Sequence, residues 1–167
     1  MSGLSRKRYP LQQLLQLRAH RTEKARLVVV EKQRAVRECR QACDRIEQEI
    51  VALRHERAGQ RLRMMEPPPQ GMPLPLALEQ REAHIEWLGE QEQAAQLRLQ
   101  QAQQRLQQAE QALATAMQEF FRAKAREDSL EKRKGVWRGE MLALDARREE
   151  DAAADLVQAA HISRSRH

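Results

Sequence analysis

The stretch from Leu97 to Ala116, LRLQQAQQRLQQAEQALATA, contains no glycine, proline or aromatic residue. Its leucines and alanines recur at alternating steps of three and four, and glutamines fill most positions between them. A mean spacing of about 3.5 residues places one apolar seam along a helix that packs against another helix. Glutamine is a good helix former that needs only water on the outer faces. The stretch therefore predicts a patterned coiled-coil helix, not a disordered glutamine-rich tail.

The same seam extends through most of the chain. Between residues 78 and 148 the alternating walk visits 21 positions, of which 16 are apolar. A second walk between residues 11 and 57 visits 14 positions, of which ten are apolar. Aromatic residues make up only 3% of the 167 residues and charged residues 32%, which is typical of long helices and not of a compact core. The chain is therefore predicted to be all-α.

Prolines divide the chain into two helices. Five of the six prolines lie between Pro67 and Pro75, and no helix is expected to cross that segment. Residues 1–65 carry 16 Lys/Arg against 7 Asp/Glu, whereas residues 66–167 carry 14 against 17, so the two parts can attract each other. We predict one domain with the following segments: 1–10 a flexible N-terminus, 11–65 the first long helix, 66–75 a Pro-rich loop, 76–158 a second, longer helix, and 159–167 a frayed tail.

The short loop favours an antiparallel two-helix coiled-coil hairpin, in which the second helix overhangs the first. If the chain folds back near residue 70, Arg18 lies near Ala123 and Leu11 near Leu130. Residues beyond about 131 then have no partner helix. The apolar steps nevertheless continue there as Trp137, Met141 and Leu144.

An uncovered apolar stripe of this kind indicates a surface for a partner. Gly135 and Gly139 flank the tryptophan and weaken the helix by about 1 kcal/mol each relative to alanine. The stripe is therefore expected to order completely only when it is bound. Trp87, near the loop, is expected to close the hairpin tip instead.

No catalytic constellation is recognisable in the sequence. It lacks a phosphate-binding glycine loop, a dinucleotide fingerprint and a two-histidine zinc motif, so no enzyme, cofactor or metal site is predicted. Cys39 and Cys43 are four residues apart and are interpreted as seam residues. No segment has the roughly 18 apolar residues of a membrane span, and no secretory signal is recognised, which fits a cytosolic protein.

The opening LLQLRAHRTEKA, residues 14–25, precedes a long charged helix, a Pro-broken loop and a longer second helix with an acidic, arginine-mixed end. This layout resembles the YscO/FliJ family, the central stalk proteins of type III secretion and flagellar export. The residues that carry the resemblance in the opening are Leu14, Leu17, Arg18, Arg21, Lys24 and Ala25.

The resemblance implies a non-catalytic stalk whose paired terminal ends insert into the hexameric secretion ATPase and promote its assembly and activity. It further implies contacts with the cytosolic domain of the export gate and with export chaperones. The implied location is the cytoplasm, peripheral to the inner membrane at the base of the apparatus. The isolated chain is expected to be a monomeric hairpin. The candidate ATPase-binding residues are Arg18, Arg21, Lys24, Lys132, Arg133, Trp137, Met141 and Leu144.

Two alternatives remain open at this point. The first is a coiled-coil adaptor or chaperone-like homodimer unrelated to secretion, in which the overhanging stripe is already buried. The second is a nucleic-acid-binding protein that uses the basic first helix. We rank nucleic acid low as a partner, because the helix lacks the aromatic residues on which bases stack.

Overall fold

A computed structural model describes residues 8–166 of the chain. It contains helix α1, Gln12–Arg63, and helix α2, Leu74–Ser165, and the described residues include no strand. The two helices run antiparallel on either side of one loop. The predicted all-α, two-helix hairpin is therefore confirmed.

Local chemistry explains where each helix begins and ends. The Gln12 amide donates to the Tyr9 carbonyl at 3.0 Å, so the chain turns at Pro10 into α1. Helix α2 begins at Leu74 and includes Pro75. Proline is tolerated in the first turn, because the backbone amide that it lacks would have no hydrogen-bond partner within the helix. At its far end α2 continues to Ser165, through most of the segment expected to fray. Alanines, the strongest helix formers, lie just before that segment at 152–154 and begin it at 159 and 160.

The predicted seam is the buried side of both helices. Every seam position of α2 from Leu78 to Leu144 is buried or half-buried. The buried apolar seam residues are Leu15, Val36, Cys43 and Ile50 on α1, and Leu88, Ala95, Ala102, Ala116 and Leu130 on α2. Thr22 is a buried polar exception, and its hydroxyl donates to the Arg18 carbonyl at 3.0 Å. The 3.5-residue spacing thus identified the core directly.

The loop between the helices is closed by a turn. The Met72 amide donates to the Pro69 carbonyl at 3.1 Å, and Gly71 between them has a φ of 83°. A positive φ at the third residue of a turn favours glycine, which has no Cβ to clash. The turn consequently depends on Gly71.

Arg81 of α2 fastens this loop to the end of α1. Its Nη1 donates to the carbonyls of Arg63 at 3.1 Å, Met64 at 3.2 Å and Glu66 at 2.9 Å. The last carbonyls of a helix have no partner within the helix, and a cation is favoured there. Arg81 therefore caps α1.

The predicted register of the hairpin is corrected by the structure. The prediction placed Leu11 near Leu130, but the Tyr9 ring packs on Trp137, further along α2. The loop is asymmetric, because the residue of α2 that contacts the end of α1 is Arg81, seven residues after α2 begins at Leu74. Seam residues of α2 are half-buried as far as Leu144, and every described residue from Asp145 to Arg166 is exposed. The predicted start of the exposed overhang, near residue 131, was therefore wrong, because the seam stays half-buried as far as Leu144.

The chain divides into two compact units, which are described separately. The hairpin unit, Leu27–Met117, contains the loop. The terminal unit joins the start of the chain, through Arg26, to the end of the chain, from Gln118. The expectation of one domain stays a prediction.

In the hairpin unit, ion pairs join the two helices along the sides of the seam. Arg98 donates two hydrogen bonds to Glu49, at 2.8 and 3.0 Å, and these hold the pKa of Glu49 below its usual range. Arg40 lies 3.4 Å from Glu110. Exposed pairs contribute little to stability, so their main effect is to favour one alignment of the helices.

Glu92 is a carboxylate on the seam itself, and it is only 6% exposed. Arg54 Nε donates to its Oε1 at 2.6 Å, and Arg57 Nη1 lies 3.2 Å from its Oε2. The hydrogen bond from Arg54, followed by the charges of nearby arginines, lowers the pKa of Glu92. Gly89 leaves room for this arrangement, because a Cβ there would lie 3.2 Å from Arg57 Nη1.

We predict that Glu92→Gln lowers the melting temperature by several degrees at pH 7, since it leaves two arginines without their carboxylate. Glu90→Gln, at an exposed position two residues earlier, is the matched control and should have no effect. Because the folded pKa of Glu92 is lowered, its contribution is present above the ordinary value of about 4.3 and is lost as the pH falls through the folded value. The difference between wild type and Glu92→Gln should therefore shrink below about pH 4.3. A difference that does not change with pH would contradict this role.

Candidate functional site

All eight predicted partner-binding residues lie in the terminal unit. They are Arg18, Arg21, Lys24, Lys132, Arg133, Trp137, Met141 and Leu144. Arg21, Lys24, Lys132 and Arg133 are exposed, whereas Arg18 is half-buried at a seam position. The fold thus gathers residues that are more than a hundred positions apart in the sequence into one unit. Whether they bind a partner stays a prediction.

Trp137 is anchored by an aromatic contact within the terminal unit. Its ring lies 5.6 Å from that of Tyr9, with the planes tilted by 54°. Tyr9 is buried, and its hydroxyl has no hydrogen-bond partner among the described residues. The indole of Trp137 itself remains half-buried. Trp137 is therefore packed within the terminal unit, and part of its side chain remains exposed to solvent.

Met141 and Leu144 are the last half-buried residues of α2. Continuing the alternating steps beyond them gives Arg148, Asp151 and Asp155, which are all polar and exposed. The apolar seam therefore ends at Leu144.

A different face of the same helix is apolar beyond this point. It is formed by an off-seam stripe comprising Ala152, Ala153, Leu156, Val157 and Ala160. Leu156 is 72% exposed and Val157 71%. Helical spacing places these residues together, on the side of the helix opposite the positions that continue the seam. The stripe is therefore directed away from the face that packs on α1 in the preceding part of the terminal unit.

Basic residues surround a concavity of about 270 Å³ between the two helices of the terminal unit. We call it the arginine cavity, and it is lined by Arg18, Arg21, Glu119, Arg122, Ala123 and Arg126. Arg18 of α1 and Ala123 of α2 both line it. Four guanidinium groups thus face a space that contains one carboxylate.

Two acidic residues near the cavity are engaged by other basic residues. Glu23 accepts two hydrogen bonds from Arg26, at 2.6 and 2.9 Å, and these bonds lower the pKa of Glu23. Asp128 pairs with Lys124 at 3.4 Å. Within the described part of the chain, no ion pair involves any of the four cavity arginines. The lining of the cavity therefore carries an excess of positive charge, which favours anionic groups.

The remaining candidate groups fit structural roles. Cys43 is buried on the seam, where burial raises the pKa of its thiol, and Cys39 is half-buried. Across the described residues, no cluster of three or more His, Cys, Asp or Glu is placed to hold a metal ion. Trp87 is 51% exposed and stacks on His84 at 5.8 Å. Neither described helix contains a stretch apolar enough to cross a bilayer.

Sequence reasoning missed Tyr9, Arg122 and Arg126. Arg122 and Arg126 immediately precede seam residues Ala123 and Glu127, as Arg21 precedes Thr22. That shared offset places them on corresponding flanks of the two helices and could have revealed the cavity. Tyr9 precedes the helix, so no helical period predicted its contact with Trp137.

The contact between Tyr9 and Trp137 can be tested by tryptophan fluorescence. In a Trp87→Phe background, Tyr9→Ala should make Trp137 more accessible to acrylamide quenching, because the tilted ring is lost. The substitution also removes an aromatic pair worth about 0.5–1.5 kcal/mol beyond its buried area.

The matched control is Tyr9→Ala in a Trp137→Phe background, where the quenching of Trp87 should not change. Identical quenching of Trp137 with and without the Tyr9 ring would show that the contact is absent in solution.

The fold defines a two-helix coiled-coil protein whose second helix ends in an exposed segment. The YscO-like family matches residues 6–167, and the chain belongs to this family. Membership supports a role related to type III secretion. The family is a non-catalytic structural one.

A solved structure agrees with the fold. It is that of CT670 from Chlamydia trachomatis, described as a YscO homolog, with a TM-score of 0.75 and 21% sequence identity. The match covers 96% of this chain and 99% of that chain. At this identity the likeness concerns the fold alone. Comparison with curated proteins gives no match.

Proposed function

We propose that the protein is a non-catalytic central stalk of a type III secretion apparatus. In this proposal the terminal unit enters the central pore of the hexameric secretion ATPase and promotes its assembly and activity. The observation that carries the proposal is the end of α2, where the helix is exposed on every side from Asp145 to Ser165, beyond the part that packs on α1. A helix that continues beyond its partner is suited to occupy a pore or groove of another protein.

The apolar residues of this extension support a second binding surface. The seam that packs on α1 becomes polar at Arg148, yet Leu156 and Val157 remain highly exposed on the off-seam stripe. Had α2 evolved only to pair with a longer α1, the apolar residues would continue on the same face. Exposed apolar surface of this kind is typical of a protein–protein interface. The stripe therefore supports contact with a partner.

The exposed basic residues also support the terminal unit as the part that binds the ATPase. Arg21, Lys24, Lys132 and Arg133 are exposed in the terminal unit. Exposed charges contribute mainly to the rate of encounter and to orientation, and they act over about one Debye length. They would guide the terminal unit toward an acidic pore lining, after which apolar contacts would hold it.

The wider partners of the proposal are the cytosolic domain of the export gate and export chaperones. The protein would then work in the cytoplasm, peripheral to the inner membrane at the base of the apparatus. The hairpin unit, which lies outside the ATPase-binding end in this proposal, is available for those contacts. Its exposed apolar residues near the loop include Leu62 and Met65.

The alternative proposal is a homodimeric adaptor or chaperone-like coiled coil. The off-seam stripe would then pack on a second copy of the chain instead of an ATPase. Light scattering distinguishes the two, since the stalk proposal expects an isolated monomer and the adaptor proposal a stable dimer.

Truncation after Leu144 tests the role of the extension. We expect an unchanged melting temperature, because the removed residues are exposed, and loss of measurable binding to the secretion ATPase by biolayer interferometry. Leu156→Ser with Val157→Ser should weaken binding similarly. The control, Asp151→Ser with Asp155→Ser, changes the polar continuation of the seam and should retain affinity. Equal binding by the full-length and truncated chains would exclude the extension as the working end.

Charge reversal tests the basic part of the terminal unit. Arg21→Glu with Lys24→Glu should weaken ATPase binding by about tenfold or more at low salt, because long-range attraction is replaced by repulsion. Arg34→Glu with Arg37→Glu is the matched control, since both residues are exposed on α1, have the same spacing and lie in the hairpin unit. Comparable losses in both variants would indicate a general charge effect and refute the assignment.

A further inference from the structure

The arginines of the two units differ in how they are paired. In the hairpin unit, Arg40, Arg54, Arg57 and Arg98 each lie within ion-pair distance of a glutamate on the other helix. In the terminal unit, the arginine cavity collects four arginines, and none has an ion-pair partner among the described residues. Four arginines of the hairpin unit are thus paired with glutamates of the other helix, whereas the four arginines that line the cavity are not.

The deficit of carboxylates is local to the cavity. Glu23 is the sole acidic residue between residues 8 and 26, and Arg26 binds it. Glu119 is the single carboxylate in the cavity lining. One carboxylate cannot neutralise four guanidinium groups, each of which presents a planar fork suited to a carboxylate. Arg21, Arg122 and Arg126 are exposed, so the excess positive charge is open to an anionic group of another molecule.

Two exposed leucines lie on the same flank as the cavity. Leu14, Leu17 and Arg21 each immediately precede a seam residue of α1, so they share one flank of the helix. Arg122 and Arg126 occupy the corresponding positions on α2. The surface therefore combines basic groups with adjacent apolar side chains, at the intervals of three and four residues that a helical ligand also has.

We propose that the arginine cavity and Leu14 and Leu17 bind an acidic amphipathic helix of a partner protein. Its carboxylates lie in the cavity, and its apolar residues pack against the two leucines. This inference rests on the proposed function, because the acidic helix belongs to a component of the secretion apparatus. Arg122 and Arg126 become binding residues that the sequence did not indicate.

The side-chain composition of the surface favours a protein over a nucleic acid or a free anion as the occupant. Nucleic-acid surfaces combine basic grooves with aromatic side chains for base stacking, and the cavity lining contains none. A free anion would have no use for the leucines beside the arginines. A carboxylate-bearing helix uses both features.

The test uses the full-length chain and a fluorescent helical peptide of about 20 residues, long enough to support a helix. The peptide carries glutamates on one face and leucines beside them, and in its matched counterpart glutamine replaces every glutamate. We expect the wild-type chain to prefer the glutamate peptide by about tenfold or more in fluorescence anisotropy, because charge-assisted hydrogen bonds are stronger than neutral ones. Arg122→Glu with Arg126→Glu should abolish this preference, and Arg34→Glu with Arg37→Glu should preserve it.

Three outcomes would overturn the inference. They are equal binding of the two peptides, an unaltered preference in the Arg122→Glu, Arg126→Glu chain, and tighter binding of short duplex DNA or of inorganic phosphate at the same arginines. Circular dichroism should show unchanged helicity in both variants, since all four substituted residues are exposed. Leu14→Ser with Leu17→Ser provides a second variant that leaves the arginines intact and should weaken binding of the glutamate peptide.

Failure of this inference can be separated from failure of the proposed function. The same chains are tested for binding to the secretion ATPase. If the ATPase binds the wild type but the peptide preference is absent, the cavity assignment fails and the stalk proposal stands. If the ATPase does not bind and the peptide preference depends on Arg122 and Arg126, the stalk proposal fails and the cavity still recognises acidic helices.

Discussion

Glu92 and its arginines impose the alignment on which the hairpin unit depends. The seam of α2 repeats leucine and alanine every seven residues, as in Leu99, Ala102, Leu106 and Ala109. Such a seam can slide by one heptad against its partner with little change in apolar packing. A seam carboxylate that is only 6% exposed cannot slide, because another register would leave its charge buried away from Arg54 and Arg57. A single polar residue at the seam thus gives specificity that the apolar residues lack.

The loop makes this alignment asymmetric. The carbonyls at the end of α1 are bound by Arg81, which lies seven residues inside α2. The end of α1 is therefore not opposite the first residue of α2. In the terminal unit, the contact of Tyr9 with Trp137 marks how far along α2 the pairing reaches. Beyond Leu144 the helix is exposed, and its apolar residues change face. An exposed helix with apolar residues away from the seam is suited to bind another protein, as the stalk proposal requires.

Much of the fold was readable from the sequence. The spacing of apolar residues identified the two helices and nearly every buried seam position, including Cys43 and Leu130. Helix periodicity is a local property, and it is repeated here many times. The register was not readable, because it depends on how Arg81 and the loop carbonyls meet in space. The overhang was expected, but its exposed part begins later than predicted, at Asp145.

The site was predictable only in part. Basic and aromatic residues near the two chain ends were recognisable as candidates, and the fold gathers them into the terminal unit. Arg122 and Arg126 resemble the other solvated arginines of α2 until α1 brings Arg18 and Arg21 beside them. Whether an arginine has a carboxylate partner is a property of the folded pair of helices. No pattern within a single helix reveals it.

The most direct test of the stalk account is ATP hydrolysis by the secretion ATPase of the same organism, titrated with the full-length chain. Light scattering on the same samples follows the assembly of the ATPase. The account predicts that hydrolysis and the hexamer fraction rise together and saturate at a substoichiometric ratio of this chain to ATPase subunits, because one stalk occupies one pore. Unchanged hydrolysis and assembly, with the isolated chain present as a stable dimer, would contradict the account and favour the adaptor.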